Sequence, residues 1–524
     1  MKITNLSLVD GKEPPINISQ VRCFLQSEKT QEPHWTEELS DEELVQELVR
    51  ISQIKCFYER LEADPNFKQQ VLTDPHQAVV RYNLNIDPKE IEPLLTEALT
   101  HIDGEAVPLP LPIGNYGKFV NDHIKWCYEL KRIADSCKEP RFKSWRERQM
   151  ARTRSELNEF RQDPPTIHAP VCFELSKGCS VGCWFCGVSA PRLEDIFTYN
   201  HENAKLWLEV LELMREILGE AAGVGFCYCA SDPFDNPDYE KFCNDFHEIL
   251  GIFPQTTTAQ SMKDPTRTRL LLKLSFSKGC MVNRFSILSL KILDQLYKEF
   301  SPEELTFVRL VLQNPESGLF KSNSGRAREY NKRKAEKNQE AFDDTFAGST
   351  ACVSGFLFNM VERSIKLISP CNADSRWPNG YRIYEEGTFT NVDDLKILLE
   401  EIIDKHMPLT VRPNARLSFR RDLKYESLPD GFQVSSRFVA HKMRNKTYLK
   451  QLGEVINKGD KTAEEIAGMF NICGIPTINI YQSLNLMFKQ GILDDEPRPR
   501  DWELKIPNDE RQSTTSQPKT ATAV

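Results

Sequence analysis

The stretch FELSKGCSVGCWFCGV, residues 173–188, contains three cysteines in the spacing CxxxCxxC. The apolar run Val171–Leu175 predicts a β-strand, so the cysteines lie in the loop that follows its carboxyl end. Thiolates are the usual ligands of iron–sulfur clusters, and a short spacing lets one loop wrap around the cluster. Three ligands leave one coordination position open, which is typical of catalytic metal sites. Cys179, Cys183 and Cys186 are therefore predicted to hold a metal cluster.

A zinc knuckle is the structural alternative for these three cysteines. Zinc in a structural site would require a fourth Cys or His nearby at a similar spacing. The nearest candidates for a fourth ligand are His168, Cys172 and Cys227. The sequence favours the cluster over zinc.

Short apolar runs alternate with amphipathic helical stretches after this loop. This alternation predicts a parallel sheet with covering helices, closed or partly closed. In such folds the chemistry lies at the carboxyl ends of the strands, where the cysteine loop stands. The strands are predicted at Val171–Leu175, Gly223–Cys229, Gln255–Ala259, Arg284–Leu288 and Phe307–Leu312.

The flanking regions are predicted to be helical. Apolar residues between positions 41 and 101 recur at helical spacing, and Asp64-Pro65 and Asp74-Pro75 are each typical of a helix start. Three helical segments (Tyr448–Ile456, Thr462–Phe470 and Ile478–Phe488) closed by a hairpin at residues 490–493 indicate a winged-helix module. The domains are predicted at 1–120 (helical), 121–164 (helical linker), 165–425 (sheet domain and extension), 436–497 (winged helix) and 498–524 (disordered tail).

Composition limits the functional classes. The 524 residues have a formal net charge of -9, which disfavours a general nucleic-acid binder. No apolar stretch approaches the roughly 20 residues of a membrane helix, and the N-terminal MKITNLSLVDGKEPP has no hydrophobic signal region. We therefore expect a cytoplasmic protein with no membrane partner, whose 15 cysteines are reduced. The strongly charged residues 321–344 form either a solvated helix or a contact surface for substrate.

The cysteine loop, with Phe185 before the last cysteine, resembles the radical S-adenosylmethionine superfamily. This resemblance implies a partial (β/α)6 barrel over about residues 165–390, one [4Fe–4S] cluster and S-adenosylmethionine as cofactors. It implies that the open iron chelates the amino and carboxylate groups of S-adenosylmethionine. One electron, from a flavodoxin- or ferredoxin-type donor, then yields methionine and a 5′-deoxyadenosyl radical.

Further residues match the cofactor-binding positions of this superfamily. Ala230-Ser231-Asp232-Pro233 stands where many members have Gly-Gly-Glu-Pro, and Asp232 keeps the negative charge that the cofactor's ammonium requires. Ser231 is the neighbouring candidate. Polar residues at later strand ends, Ser286 and Gln313, are candidates for binding the ribose and methionine portions, and Thr258 and Arg284 are weaker ones.

A second segment, SPCNADSRWPNGY at residues 369–381, contains Cys371 in a polar turn after an apolar strand. Together with the cysteine loop, it resembles the proteusin-type radical enzymes that epimerise amino acids in ribosomally made peptides. In that family the adenosyl radical removes the α-hydrogen of an L-residue, and a cysteine on the opposite face returns a hydrogen atom. Cys371 matches the position of this donor, and Cys352 is the fallback.

The flanking segments are consistent with a peptide substrate. Residues 457–493 resemble the winged-helix element that captures the leader of a precursor peptide. Residues 57–95 resemble the leaders of nitrile-hydratase-like and nitrogen-fixation-associated precursors, so this segment is either a leader mimic or an ordinary helical cap. DNA binding by the winged helix is disfavoured by its acidic residues, which are Glu464, Glu465, Asp494 and Asp495.

Other functions remain open on the sequence. A peptide methyltransferase or a crosslinking enzyme would belong to the same superfamily. A non-catalytic iron–sulfur or leader-binding scaffold is an alternative from another class. Only Cys371 and Cys473 follow Cys352, too few to hold a second cluster by themselves. The prediction is therefore a radical peptide epimerase.

Overall fold

The structure is a computed structural model that describes residues 18–25, 34–82, 86–87, 111–157, 166–317, 322–342 and 349–496. The predicted disordered tail, residues 498–524, lies outside the described residues. Parts of the leader-like segment 57–95 and of the linker 121–164 also lie outside them.

The described residues form both helices and strands. The helices are α1 (Ile18–Leu25), α2 (Asp41–Ala63), α3 (Pro65–Thr73), α4 (Pro75–Arg81), α5 (Leu111–Ala134), α6 (Pro140–Leu157), α7 (His201–Leu218), α8 (Tyr239–Leu250), α9 (Pro265–Ser277), α10 (Leu290–Glu299), α11 (Gly325–Asn338), α12 (Val392–His406), α13 (Leu449–Lys458), α14 (Ala463–Ile472) and α15 (Thr477–Lys489). The strands are β1 (Ala169–Glu174), β2 (Ser176–Lys177), β3 (Asp195–Ile196), β4 (Thr257–Thr258), β5 (Asn283–Ile287), β6 (Val308–Leu312), β7 (Val353–Asn359), β8 (Ser364–Pro370), β9 (Tyr381–Thr388), β10 (Lys424–Leu428), β11 (Gly431–Ser435) and β12 (Ala440–Met443).

The strands form separate sheets in the orders β1-β7-β8-β9, β4-β5-β6, β10-β11-β12 and β2-β3. β1 pairs with β7 in parallel, and β4, β5 and β6 are parallel to one another with helices between them. The predicted α/β class is confirmed. Within the described residues these sheets do not close into a barrel.

The predicted strand at Gly223–Cys229 is wrong in extent. Residues Gly219–Val224 form a 3-10 helix, and Phe226 forms an isolated parallel bridge with Cys172. Packing explains the difference, because a Cβ at Gly223 would lie 2.7 Å from the carbonyl oxygen of Leu250. The backbone therefore approaches the end of α8 closely where a regular strand would need room for a side chain.

The main hydrophobic core lies between the sheet β1-β7-β8-β9 and the helices α6, α7, α8 and α12. Phe173 on β1 is fully buried, with its ring centroid 4.9 Å from that of Trp207 and 5.1 Å from that of Phe358. Edge-to-face and stacked aromatic pairs add to the free energy of burial. This core fixes the direction of β1 and therefore the start of the cysteine loop.

The N-terminal helices pack against β5, β6 and the helices between them. The predicted helix starts are confirmed, since the Asp64 side chain accepts hydrogen bonds from the backbone of Asn66 and Phe67 and Asp74 caps α4 in the same way. The Glu59 carboxylate accepts a hydrogen bond from the backbone N–H of Leu310 on β6 at 3.1 Å. The leader-like segment thus begins on α2, the helix that covers the edge of the sheet at β6.

The C-terminal module has its own core, which extends from Val411 to Leu493 and so begins before the predicted boundary at 436. Its three helices are confirmed, but its sheet, β10-β11-β12, precedes them in the chain. The hairpin predicted at 490–493 is wrong, because Leu493 bridges to Phe419 instead. A distant strand partner of this kind leaves no local signal in the sequence.

We predict that Phe173→Ala destabilises the protein by about 3–5 kcal/mol, because it leaves a cavity in the main core. Urea unfolding followed by circular dichroism measures the change. Leu270→Ala is the matched control, since Leu270 is 63% exposed and its loss should change stability by no more than about 0.5 kcal/mol. A loss below about 1 kcal/mol for Phe173→Ala would contradict the packing described for β1.

Candidate metal and cofactor site

The cluster loop, residues 178–192, follows β2 and folds back on itself. Gly178 has φ +85°, and a Cβ there would lie 2.2 Å from the carbonyl oxygen of Arg192, so only glycine fits. The backbone N–H of Cys179 donates to the Pro191 carbonyl at 2.9 Å, and that of Cys186 donates to the Cys183 carbonyl at 3.3 Å. These contacts bring the two ends of the loop together around its three thiols.

The thiols of Cys179 and Cys186 lie close enough to Cys183 to affect its ionisation. Burial, together with the neighbouring Cys179 and Cys186 thiols, raises the pKa of Cys183 to about 12 against the opposing charge of Arg326. Burial likewise raises the pKa of Cys179 to about 11. Three adjacent thiolates would repel one another in this setting unless a cation such as iron compensated their charge. The donor chemistry therefore fits a thiolate-bound metal centre.

Among the described residues, no group of three or more His, Cys, Asp or Glu side chains is arranged to hold a metal ion. In a [4Fe–4S] cluster each of the three thiolates would bind a different iron atom, so the ligands do not converge on a single ion. The cluster therefore stays a prediction.

The cluster loop packs against the start of α11. The backbone N–H of Arg326 donates to the Cys186 carbonyl at 2.9 Å. A Cβ on Gly325 would lie 2.6 Å from that carbonyl oxygen, and a Cβ on Gly187 would lie 2.2 Å from the hydroxyl oxygen of Thr350. Two glycines thus allow the last cysteine of the loop to contact α11 and the segment before β7 closely.

Asp232 lies beside this loop in a buried hydrogen-bond network. Its carboxylate accepts from the backbone N–H of Phe234 at 3.0 Å, the Thr258 hydroxyl at 2.8 Å and the backbone N–H of Ala259 at 2.8 Å. Burial raises the pKa of Asp232, while these donors lower it. The network brings together two predicted residues, Asp232 and the weaker candidate Thr258, and attaches both to the end of β4.

Asp235 is a further site residue that the sequence interpretation missed. Its carboxylate accepts hydrogen bonds from the backbone N–H and the hydroxyl of Ser180 and from the Gln260 side chain. It therefore joins the cluster loop to the segments after Phe226 and after β4. The available signal in the sequence was the pair of acids Asp232 and Asp235 around Pro233, because two acids in one short turn need specific partners when the turn is buried.

The other predicted cofactor residues lie at separate points around the site. Phe185 is half-buried in the cluster loop and Ser231 is half-buried next to Asp232. Ser286 is on β5, and the backbone N–H of Gln313 donates to the Ile287 carbonyl at 2.9 Å. Ser286 and Gln313 therefore stand at the carboxyl ends of adjacent parallel strands.

Gln313 also has an unsatisfied acceptor. Its side-chain oxygen is buried and has no hydrogen-bond partner in the described part of the chain. A buried polar atom without a partner costs free energy, and a bound ligand with a donor group would remove that cost. The Gln313 carboxamide therefore fits a polar cofactor.

The sheet β1-β7-β8-β9 has two different faces. The outer face packs on the helices through Phe173, Leu367 and Tyr384. The inner face carries Cys172 and Ile368, against which Cys229, Cys352 and Tyr381 pack. Burial raises the pKa of Tyr381, and Cys229, Glu174 and Cys186 raise it further, so the inner face adjoins the cluster loop.

Cys371 lies on the outer side of the β8–β9 connection. It is fully buried, and its backbone N–H donates to the Gly380 carbonyl at 2.9 Å. Burial raises the pKa of the thiol to about 12, and the charged side chains of Arg382 and Glu156 lie nearby. Cys352, the fallback donor, lies on the inner face instead. The sequence could not separate the two, because the side that a residue faces depends on strand register.

A buried ionic network holds the donor loop, residues 371–380, from the outer side. Glu156 on α6 accepts two hydrogen bonds from Arg382, at 2.7 and 2.8 Å, and one from Arg152 at 3.0 Å. Glu496 accepts from the Trp377 indole N–H at 2.6 Å and from Arg152 at 3.0 Å. Glu496 therefore contacts the loop that follows Cys371.

The comparisons with known proteins identify the family. Residues 417–491 match the family described as the protein y4wI C-terminal domain. A protein of Sinorhizobium fredii (strain NBRC 101917 / NGR234), named uncharacterized protein y4wI, is 37% identical over 454 residues, which are 85% of this chain and 88% of the relative. The chain belongs to the y4wI family. No solved structure matches it.

The y4wI C-terminal domain is connected to the Cys371 region through α6. Arg420 donates to the Gly491 carbonyl at 2.7 Å and to the Ser155 hydroxyl on α6 at 2.7 Å. The guanidinium of Arg148, also on α6, lies 4.1 Å from the ring centroid of Phe488 on α15. One helix of this y4wI family member therefore contacts both the C-terminal domain and the network behind Cys371. None of the described helices is long and apolar enough to cross a membrane.

We predict that Glu496→Ala exposes Cys371 to alkylation. The substitution removes hydrogen bonds to a buried indole and a buried guanidinium, which are together worth about 1.5–3 kcal/mol. The closed state of the donor loop should weaken, and the labelling rate of Cys371 should rise at least about tenfold. Iodoacetamide labelling of the native protein, read by peptide mass spectrometry, measures this rate.

Asp404→Ala is the control for this experiment, because Asp404 forms an exposed ion pair with Arg141. It should leave Cys371 protected, and the exposed Cys473 should react in every variant. A parallel rise at the buried Cys56 in Glu496→Ala would mean general unfolding and would contradict a local role for Glu496.

Proposed function

We propose that this chain is a radical S-adenosylmethionine enzyme that epimerises residues of a ribosomally made precursor peptide. The observation that carries the proposal is the cluster loop, in which three thiols stand together beyond the carboxyl end of a buried strand. The segment at Phe226 and the strands β4, β5 and β6 would be the later strands of the partial (β/α)6 barrel. Their order along the chain and the helices between them support this assignment.

The chain's own residues would divide the binding of cofactors between them. Cys179, Cys183 and Cys186 would hold three irons of one [4Fe–4S] cluster, and Asp235 would keep the loop in place through Ser180. With the cluster and S-adenosylmethionine bound, the site would supply a 5′-deoxyadenosyl radical. Asp232 would offer negative charge to the cofactor's ammonium. The unpaired side-chain oxygen of Gln313 would accept a hydrogen bond from the ribose or methionine portion of the cofactor.

The hydrogen donor must carry its hydrogen as a thiol rather than a thiolate. Burial holds the pKa of Cys371 at about 12, so its sulfur keeps the proton at neutral pH. After donation, the sulfur radical needs one electron and one proton to become a thiol again; a one-electron carrier would supply the electron and solvent the proton. Cys371 is the donor that the resemblance indicates, whereas Cys352 is favoured by its position on the inner face.

The first test concerns the cluster. After anaerobic reconstitution with iron and sulfide, the wild-type protein should bind about four irons per chain. It should also release 5′-deoxyadenosine from S-adenosylmethionine when dithionite is added. The triple variant C179A/C183A/C186A should lose both properties, while Cys473→Ala should keep them because Cys473 is exposed and remote in sequence. Iron analysis and liquid chromatography with mass spectrometry measure the two outcomes, and iron retained by the triple variant would refute the cluster assignment.

The second test concerns the reaction and its donor. With a leader-bearing precursor peptide from the same genome in deuterated water, the product should gain a single deuterium at each converted α-carbon. A donor variant should still cleave S-adenosylmethionine but form no deuterated D-residues, because only hydrogen return is lost. Comparison of Cys371→Ala with Cys352→Ala assigns the donor, each serving as the control for the other. A new methyl group or crosslink in the product would contradict epimerisation.

A further inference from the structure

The first turns of α11 stand beside the cluster loop at the protein surface. The backbone N–H of Arg326 donates to the Cys186 carbonyl at 2.9 Å, so the base of the helix is attached to the third predicted ligand. One turn later, Tyr330 lies with its ring centroid 4.5 Å from that of Trp184. Trp184 is 37% exposed and Tyr330 is 43% exposed, so the pair forms an accessible aromatic edge directly on the cluster loop.

The exposed side of α11 is strongly basic. The helix GRAREYNKRKAEKN has a net charge of +4, in a chain whose formal net charge is -9. Lys332, Arg333, Lys334 and Lys337 are all exposed. In the part of the chain that the structure describes, none of these four side chains pairs with a carboxylate. Their charge is therefore available to a partner of opposite sign.

A solvated helix has no need of this charge pattern or of an exposed aromatic pair. Large exposed aromatic side chains are typical of contact surfaces, where they bury much area at a low entropic cost. A positive patch on an acidic protein attracts an acidic partner from a distance and orients it, while the rest of the surface repels it. The patch next to Trp184 would bring such a partner to the cluster loop.

We propose that Trp184, Tyr330 and the basic residues of α11 form the docking surface for an acidic one-electron carrier protein. This inference rests on the proposed function, which requires an electron for each cleavage of S-adenosylmethionine. Electron transfer becomes slower with distance, and a carrier seated on Trp184 would lie next to the loop that holds the cluster. Redox encounters of this kind bury small interfaces and depend on charge, so four basic side chains beside an aromatic pair suit such a contact.

The test compares two triple variants of the full-length reconstituted enzyme. K332E/R333E/K334E reverses the patch, and K205E/K241E/K396E makes the same change of net charge on exposed lysines of α7, α8 and α12. A recombinant acidic flavodoxin with its reductase is the probe. Surface plasmon resonance measures its affinity, and 5′-deoxyadenosine release is measured with flavodoxin and, separately, with dithionite.

We expect the patch variant to lose about tenfold or more in flavodoxin affinity and in the flavodoxin-driven rate, because three attractive charges become repulsive. Its dithionite-driven rate should stay within about twofold of wild type, because a small reductant needs no docking surface. The control variant should behave like wild type with both reductants. Raising the salt concentration to about 0.5 M should remove most of the difference in affinity. Tyr330→Ala, which keeps the charges, should weaken flavodoxin binding by about threefold and supports the surface even if the triple variant folds poorly.

Equal affinity of flavodoxin for all variants would overturn the docking surface. An equal fall in the rates with flavodoxin and with dithionite would overturn it too, because the substitutions would then act on the cluster. A loss of affinity for the precursor peptide in place of flavodoxin would assign the patch to the substrate and reject the carrier. By contrast, no 5′-deoxyadenosine from the wild-type enzyme with dithionite would refute the proposed function itself.

Discussion

The carboxylate of Glu156 is the interaction on which the arrangement around Cys371 depends. Burial alone would raise its pKa, but Arg382, Arg152 and Arg420 lower it to about 2. Buried guanidinium groups need such a partner, because an uncompensated charge in the interior costs several kcal/mol. Since Glu156 is on α6, Arg382 on β9 and Arg420 in the C-terminal module, one ionised side chain joins three parts of the chain.

This network gives α6 a central position in the molecule. The helix packs on the outer face of the sheet through Phe142 and Trp145, and its last turns carry the charged groups. Two sets of contacts join the C-terminal module to the donor loop, one along α6 and one through Glu496. If the module captures a leader peptide, the bound and free forms of the protein would differ first at these contacts.

Features that depend on near neighbours could be predicted from the sequence. The Asp-Pro helix starts at Asp64 and Asp74, the strand before the cysteines and the three C-terminal helices all have local causes such as capping, proline geometry and periodicity. The three cysteines were predicted as cluster ligands from their spacing and their place after a strand, and that role stays a prediction. By contrast, the bridge between Phe419 and Leu493 and the cover of β6 by α2 join residues far apart in the chain. No local pattern identifies such partners. The sequence also could not show on which side of the sheet Cys371 lies, because a register irregularity between Leu367 and Ile368 precedes it on β8.

The packing of α2 against the edge of β6 also has a consequence for folding during synthesis. The edge strand of an open parallel sheet offers unpaired backbone groups to other chains, and such edges promote aggregation. Here the Glu59 carboxylate of α2 accepts a hydrogen bond from the N–H of Leu310, and the Asn314 side chain donates to the Ala63 carbonyl at the end of the same helix. Domains fold from the N-terminus during synthesis. The helix that protects this edge is therefore translated about 250 residues before the strand, so the cover has already been synthesised when β6 emerges.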